Sequence, residues 1–418
     1  MAYLQVGSTN PNFSFILKKN PAVGALVRSL KAGTLFGYYS KGASNFNCYF
    51  KDADWEVSYK HFRDESFEYV NPSQYNAPEF VLDCISEFFS HIIKKNDEFD
   101  KEGFDNFVIV NMISIKPKYL DIFSKYFSHV QIESTEICPS NYRLKFSTKG
   151  TLKELFSFVQ LFAIFNVLKG RHLDEAEIQK YISQMINIKA PYFIKYVFKV
   201  NVLNSGKLFK QHKAALEANS FEKIELAYGY ASLQRIQAVE RLLDFNNDIV
   251  DLGCGEGNFA KALLSKVAVD KSYWAVDINP ELLDVVRKRV KNDEKVKYST
   301  FFLGTESESF DMICSEVIEH MEKHDAGVFI RDTLLLGADR LKKLIITTPN
   351  KDFNQFYFFD DEEVRHEDHH FEMTKAEFEE WIPKVVGGRK YEIFEIGDKV
   401  NDVCCTLGAV IHGTDTGK

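Results

Sequence analysis

Asp251-Leu252-Gly253-Cys254-Gly255-Glu256-Gly257 decides the fold of this chain. An apolar run, Asp248 to Leu252, ends abruptly in three alternating glycines, and a helical pattern follows from Asn258 to Ser265. Strand, glycine turn and helix in that order open an α/β unit, because glycine lets the backbone turn tightly and come close to a ligand. A second strand, Tyr273 to Val276, closes on Asp277, whose carboxylate can accept hydrogen bonds from both hydroxyls of a ribose. Helices over Ile236 to Phe245 and Pro280 to Val290 alternate with these strands, so the expected architecture is a parallel sheet covered on both faces. Ligands bind such sheets at the carboxyl ends of the strands, and a nucleoside cofactor is implied. The spacing is DxGxGxG, neither the GxGxxG of most nicotinamide sites nor a P-loop with its lysine. On spacing alone, a nicotinamide site or a structural turn remains open.

Two further stretches bear on chemistry. Phe310 to Cys314 is expected to be a buried strand that leads into Ser315-Glu316-Val317-Ile318-Glu319-His320. On a helical turn, Glu316 faces Glu319 and His320, three and four residues on. Two carboxylates and an imidazole suit a hard, octahedral ion such as Mn²⁺ or Mg²⁺. The same residues also fit a solvated helix start. Beyond Leu344-Ile345-Ile346 and Thr347-Thr348-Pro349-Asn350, a second cluster, Asp368-His369-His370-Phe371-Glu372, offers more imidazoles ahead of a helix over Lys375 to Trp381.

Length and charge set the frame. A chain of 418 residues, 45% of them apolar, forms two or three domains. No apolar run reaches the roughly 18–20 residues of a membrane span, and the amino terminus has no signal-peptide pattern. The seven cysteines form no CxxC pair, which argues against a disulfide framework or zinc ribbon. A cytoplasmic protein is expected. Residues 1 to 220 carry net charge +5 and the remainder −13, so the second part repels a polyanion unless a metal, a basic patch or a partner offsets the field.

The first part contains no catalytic constellation. The order from Asn106 is strand, helix (Tyr119 to Phe127), two strands (His129 to Glu133, Tyr142 to Phe146) and helix (Leu152 to Leu168), which is the split βαβ order. Asn45 to Tyr59 alternates as a half-buried strand, Pro78 opens an amphipathic helix, and Tyr196 to Leu203 alternates like a strand. His61, His91 and His129 are isolated, and the phenylalanines at helical spacing read as core. The domain boundary is expected near residue 220, giving an α+β domain over 1–220 and an α/β domain over 221–418.

The glycine turn resembles the first motif of class I (Rossmann-like) methyltransferases, which use S-adenosylmethionine. ExxEH, TPN and DHxFE together resemble the 3′-terminal RNA ribose 2′-O-methyltransferases, comprising plant small-RNA enzymes and bacterial RNA-repair relatives. That resemblance implies Glu316, Glu319, His320 and His369 as ligands of Mn²⁺ or Mg²⁺, one histidine also being placed to take the proton of the 2′-hydroxyl. It implies cofactor contacts from Asp251, Gly253, Gly255, Asp277 and Ser315. Gln234-Arg235 matches a QR pair in which the arginine lies near the reacting RNA end. Tyr298 to Phe302 lacks the acidic residue expected to hold adenine, which leaves that contact unassigned. Phe15 to Pro21, Tyr69 to Tyr75 and Leu144 to Thr151 resemble, in order, segments of the bacterial relatives' amino-terminal domain. There the domain activates the ligase of a polynucleotide kinase-phosphatase-ligase, so that partner and an RNA 3′ end are implied. A metal-assisted methyltransferase of a small catechol-like diol, or a ligase-recruiting scaffold, fits the same residues.

Overall fold

Asp248–Leu252 is buried at all five positions, and the second unit of the molecule is laid out around it. The computed structural model describes residues 2–30, 33–52, 76–169, 171–218, 221–302, 309–337, 340–357 and 364–413. The chain divides into two compact units, Met1–Phe221 and Glu222–Lys418.

The first unit holds strands β1 (Ala2–Ser8), β2 (Leu26–Leu30), β3 (Gly33–Tyr39), β4 (Asn45–Asp52), β5 (Asn106–Ser114), β6 (Gln131–Cys138) and β7 (Asn141–Thr148). They form one sheet in the order β2-β3-β4-β1-β5-β7-β6 with every neighbouring pair antiparallel. β5 and β6 therefore run parallel with β7 between them, the split βαβ arrangement. The helix Leu152–Val167 carries a capping box, in which Thr151 and Glu154 satisfy each other's backbone N–H. That helix is buried nearly all round, and Phe156 stacks on Phe89 of the helix Pro78–Lys94 with ring centres 4.6 Å apart. Its other described α-helices are Phe13–Leu17, Lys118–Tyr126, Glu175–Asn187, Tyr192–Val202 and Gly206–Glu217.

Tyr192–Val202 corrects the strand expected over Tyr196 to Leu203. Pro191 starts a helix there, and Tyr192, Lys195, Phe198 and Lys199 are buried at spacings of three and four, so helical packing overrides the local alternation. The expected strand from Asn45 is observed to Asp52; its remainder, His61 and Tyr69 to Tyr75 lie outside the described residues.

The second unit contains β8 (Ile224–Glu225), β9 (Asp248–Leu252), β10 (Tyr273–Val276), β11 (Val296–Ser299), β12 (Phe310–Ser315), β13 (Leu341–Pro349), β14 (Tyr391–Val400) and β15 (Val403–His412). Their order is β11-β10-β9-β12-β13-β15-β14-β8. The first five are parallel, as expected; β15, β14 and β8 are antiparallel additions that the glycine turn does not foretell. Helices Ala231–Glu240, Asn258–Leu263, Pro280–Arg289, Lys323–Gly337 and Lys375–Val385 accompany the sheet. Two apolar clusters result, one containing Val250, Met312 and Ile346, the other Ile249, Ile313 and Ile345. Alternate residues of the same strands thus feed opposite faces. The strand order reverses between β9 and β12, so their carboxyl ends flank the switch point where such sheets bind ligands.

Candidate active site

The glycine turn follows β9. Gly253, Gly255 and Gly257 all have positive φ, at 66°, 51° and 76°, in the left-handed region that side chains disfavour. A methyl group on Gly253 would stand 2.5 Å from Val317 Cγ2, whereas at Gly255 it would meet nothing within 4 Å. Gly253 is therefore closed by the neighbouring turn, and Gly255 faces open space. Gly253 N and Cys254 N both donate to the Val276 carbonyl, at 2.8 and 3.0 Å, which ties the turn to β10.

Asp277, buried at the end of β10, is held in place by two backbone donors. Gly255 N donates to its Oδ2 and Asn279 N to its Oδ1, each at 2.9 Å. Each carboxylate oxygen keeps further acceptor capacity. Asp251 is buried, accepts from the Tyr273 hydroxyl at 2.8 Å, and is pushed up to about 7 by its burial. A glycine cradle with open space over Gly255 and a pinned carboxylate on the adjacent strand fit a nucleoside cofactor.

β12 ends at Ser315. The next residue, Glu316, has φ 56°, and the turn after it is a 3₁₀ turn over Ile318–His320. The expected helical turn carrying Glu316, Glu319 and His320 on one face is therefore not formed. Ligand atoms of Glu319, His320 and His369 lie within 4.8 Å of one another. Glu316 is not in that group. Its Oε2 pairs with Arg235 Nη1 at 3.2 Å, and its Oε1 accepts from Thr347 Oγ1 at 3.3 Å. Ser315 and Thr347 share a hydrogen bond of 2.7 Å. With the threonine proton directed to Glu316, Ser315 is the donor of that pair.

Glu319 is fully buried. Oε2 accepts from Thr348 Oγ1 at 3.1 Å, while Oε1 has no hydrogen-bond partner. Burial drives its proton affinity well above the ordinary carboxylate range, and the charge on Glu316 adds to the effect. A buried carboxyl oxygen left without a donor is costly, and a cation beside it would both satisfy it and keep it ionised.

The histidines are oriented from behind. His369 Nδ1 lies 2.7 Å from Glu372 Oε1, which leaves Nε2 for a ligand. Glu372 also accepts from Asn354 Nδ2 and from Arg365 N, each at 2.7 Å. Burial raises the Glu372 carboxyl, but these hydrogen bonds outweigh it and hold it below its usual range. His320 Nδ1 pairs with Asp368 Oδ2 at 3.1 Å. The two ligand-bearing turns are joined where His370 N donates to the Glu319 carbonyl at 2.8 Å. The His370 side chain turns away to Glu322 at 3.0 Å. Carboxylate-backed imidazoles beside an orphaned buried carboxylate make a donor set suited to a divalent cation.

Sequence reasoning missed the parts played by Thr348, Asn354, Arg365 and Glu372. A signal existed for Glu372, three residues beyond His369 in the same motif. Gln234 is structural, its Nε2 donating to the Ala227 and Gly229 carbonyls at 3.2 and 3.0 Å.

Residues 3–221 match the family model described as the Hen1 N-terminal domain, and residues 249–334 match a methyltransferase domain. The chain is 30% identical over 204 residues to the small RNA 2′-O-methyltransferase of Arabidopsis thaliana, covering 42% of this chain and 21% of that protein. It is 30% identical over 177 residues to the protein of that name from Mus musculus, covering 38% and 44%. The matches thus span less than half the length of these relatives. A chain from the solved structure of a Pnkp1/Rnl/Hen1 RNA repair complex has the same fold over 98% of this chain and 100% of its own, with a TM-score of 0.82 at 23% identity. A second such chain gives 0.79 at 24% identity, covering 99% and 100%.

Proposed function

This chain belongs to the family defined by the Hen1 N-terminal domain, and from that premise we propose that it transfers a methyl group from S-adenosylmethionine to the 2′-hydroxyl of the 3′-terminal ribose of RNA, with a divalent cation, as a step of bacterial RNA repair. The observation that carries the reading is the convergence of Glu319, His320 and His369 next to the glycine turn, with Val317 packed against Gly253 between the two. The names of the relatives support the reaction and substrate. The fold shared with a chain of an RNA repair complex supports a kinase-phosphatase-ligase partner for the 1–220 domain.

A ribose hydroxyl is a weak nucleophile at neutral pH. A bound Mn²⁺ or Mg²⁺ supplies the acidity and fixed position that such a hydroxyl lacks. Glu319, His320 and His369 would hold the ion, and Glu316, which precedes the Ile318–His320 turn and pairs with Arg235, would complete the proposed set once released. Glu372 fixes the His369 tautomer so that Nε2 is unprotonated. Asp368 does the same for His320, leaving its Nε2 lone pair for the ion. Asp251, Gly253, Gly255, Asp277 and Ser315 would hold the cofactor, and Asp277, positioned by Gly255 N and Asn279 N, would accept from ribose hydroxyls. Arg235, which pairs with Glu316, would lie by the reacting RNA end and offset the negative field of this unit. Selection of an RNA end follows if both vicinal hydroxyls are gripped, because only the terminal nucleotide has both free. Among the described residues no helix is long and apolar enough to cross a membrane.

The test is methyl transfer from labelled S-adenosylmethionine to a short RNA with a 3′-terminal diol, against the same RNA with a 2′-deoxy end, with and without Mn²⁺. Metal-dependent labelling of the diol alone is expected. Labelling of a small catechol in preference to RNA would replace this reading.

A further inference from the structure

The first unit contains a groove that the proposed reaction leaves unused. It lies between the helices Pro78–Lys94, Leu152–Val167 and Glu175–Asn187 and has a volume of about 490 Å³. Lys94, Lys153 and Lys180 line it, one from each helix, and no Asp or Glu does. Among the described residues none of the three makes an ion pair. Lys180 Nζ donates to Ser86 Oγ at 2.9 Å and Lys153 Nζ to Asn96 Oδ1 at 2.7 Å. Asp83 and Glu177 act on Lys180 from outside the groove, and its burial still holds the ammonium below its ordinary range. Three lysines line one groove with no carboxylate among its lining residues, a setting that favours an anion.

The floor of the groove supplies a second, independent indication. Gln160 and Gln184 both line it and both are fully buried. Gln160 Nε2 donates to the Leu82 carbonyl and to Ser86 Oγ, and Gln184 Nε2 donates to Gln160 Oε1. Gln184 Oε1 has no hydrogen-bond partner. A buried amide oxygen without a donor is a standing cost, which a ligand N–H or O–H would remove.

We propose that this groove binds a small phosphorylated ligand of the nucleotide class, its phosphate among Lys94, Lys153 and Lys180 and a donor group of its base or sugar on Gln184 Oε1. The volume falls in the range of roughly 300–1,000 Å³ occupied by small-molecule sites, and a lone phosphate would fill little of it. Enclosure by three helices, with only three cations, suits a compact molecule better than a strand of nucleic acid, which demands a longer basic track.

The experiment is calorimetric titration of the full chain with AMP, pyrophosphate and inorganic phosphate, and separately with a short oligoribonucleotide, with saturating S-adenosylhomocysteine present so that the glycine turn is occupied. Saturable binding of AMP is expected. It should weaken roughly tenfold or more in Lys180→Met and in Lys153→Met, as loss of a charge-assisted hydrogen bond requires, and stay unchanged in the exposed control Lys101→Met. Pyrophosphate bound as tightly as AMP, and lost in the same variants, supports the phosphate site with a free polyphosphate as its source. No saturable binding of any of the three, or binding indifferent to both groove variants, overturns the proposal. So does binding confined to a short oligoribonucleotide, which would make the groove an RNA contact. None of these residues touches the methyl-transfer site, so failure here leaves that reading intact.

Discussion

Replacing Glu372 by Gln tests the metal site without touching a proposed ligand. Glu372 Oε1 accepts from His369 Nδ1 and from Arg365 N, and its other oxygen accepts from Asn354 Nδ2, all at 2.7 Å. Every donor thus faces a carboxylate oxygen. A glutamine can present only one oxygen. With its NH₂ toward Asn354, two donors oppose each other and a buried hydrogen bond is lost, at about 1–3 kcal/mol of stability. With its NH₂ toward His369, the imidazole is driven to accept at Nδ1, and its proton moves to Nε2, the atom that must bind the ion. In either arrangement His369 is less basic and less firmly aimed. Loss of such a partner typically weakens metal affinity 10–100-fold, about 1.4–2.7 kcal/mol. Calorimetric titration of Mn²⁺ into the full chain, beside a titration of S-adenosylhomocysteine, gives both numbers. We expect weaker Mn²⁺ binding with the cofactor isotherm unchanged. Wild-type Mn²⁺ affinity in E372Q, with the fold intact by circular dichroism, would show that Glu372 does not orient His369 for the ion.

Glu319→Gln should abolish the thermal stabilisation of the chain by Mn²⁺, which at 100 times the dissociation constant amounts to about 2.7 kcal/mol in the wild type; a full metal-dependent rise in Tm in the variant would remove Glu319 from the site. Glu316→Ala and His369→Ala should each eliminate methyl transfer while cofactor affinity is retained, and loss of cofactor binding in both would sink the ligand assignment. Gly255→Ala should cost only about 1–2 kcal/mol of stability for its left-handed backbone and yet lose S-adenosylhomocysteine, whereas Gly253→Ala, which also meets Val317, should destabilise by about 1–3 kcal/mol more. Folding raises the Asp251 carboxyl from 3.8 to about 7, so the folded chain holds that proton more tightly than the unfolded one. The stabilisation is complete below about pH 4 and is lost as the pH rises through about 7, with roughly 4 kcal/mol as an upper limit. Chemical denaturation between pH 5 and 8, with chelator present, should show a fall in stability that Asp251→Asn reduces; identical slopes would contradict it.

The second unit was legible where burial is two-sided. β9, β12 and β13 are short, largely apolar runs followed by a glycine turn, by Ser315-Glu316 and by Thr347-Thr348-Pro349, so both strand and site could be placed. β14 and β15 are less visible, although Asn401 and Asp402 both adopt positive φ, at 50° and 66°, as two-residue hairpins require. That signal lay between two alternating runs and was not used. Tyr192–Val202 went the other way, because four alternating positions of aromatic and β-branched residues imitate a strand until packing against neighbouring helices selects the burial spacing. The groove at Lys94, Lys153 and Lys180 could not be read at all, since its lining residues run from Ser86 to Asn187 across three helices.

Glu316 explains why spacing alone misjudged the ligand turn. Three- and four-residue intervals bring side chains together only if the backbone is α-helical throughout, and here the left-handed residue at 316 breaks that condition. Its N–H is taken by the Thr347 carbonyl at 2.9 Å, which fixes the strained conformation from the neighbouring strand. A non-glycine residue in this region costs of order 1–3 kcal/mol and persists only where its surroundings impose it. The consequence is spatial: the Glu316 carboxylate leaves the Glu319, His320 and His369 group and meets Arg235. Bringing it to a metal requires Arg235 to let go, and a substrate phosphate is the natural acceptor for the released guanidinium. Arg235→Ala should therefore bind Mn²⁺ at least as tightly as the wild type while its KM for RNA rises. Weaker Mn²⁺ binding in that variant would mean that Arg235 holds Glu316 in place rather than competing with the ion for it.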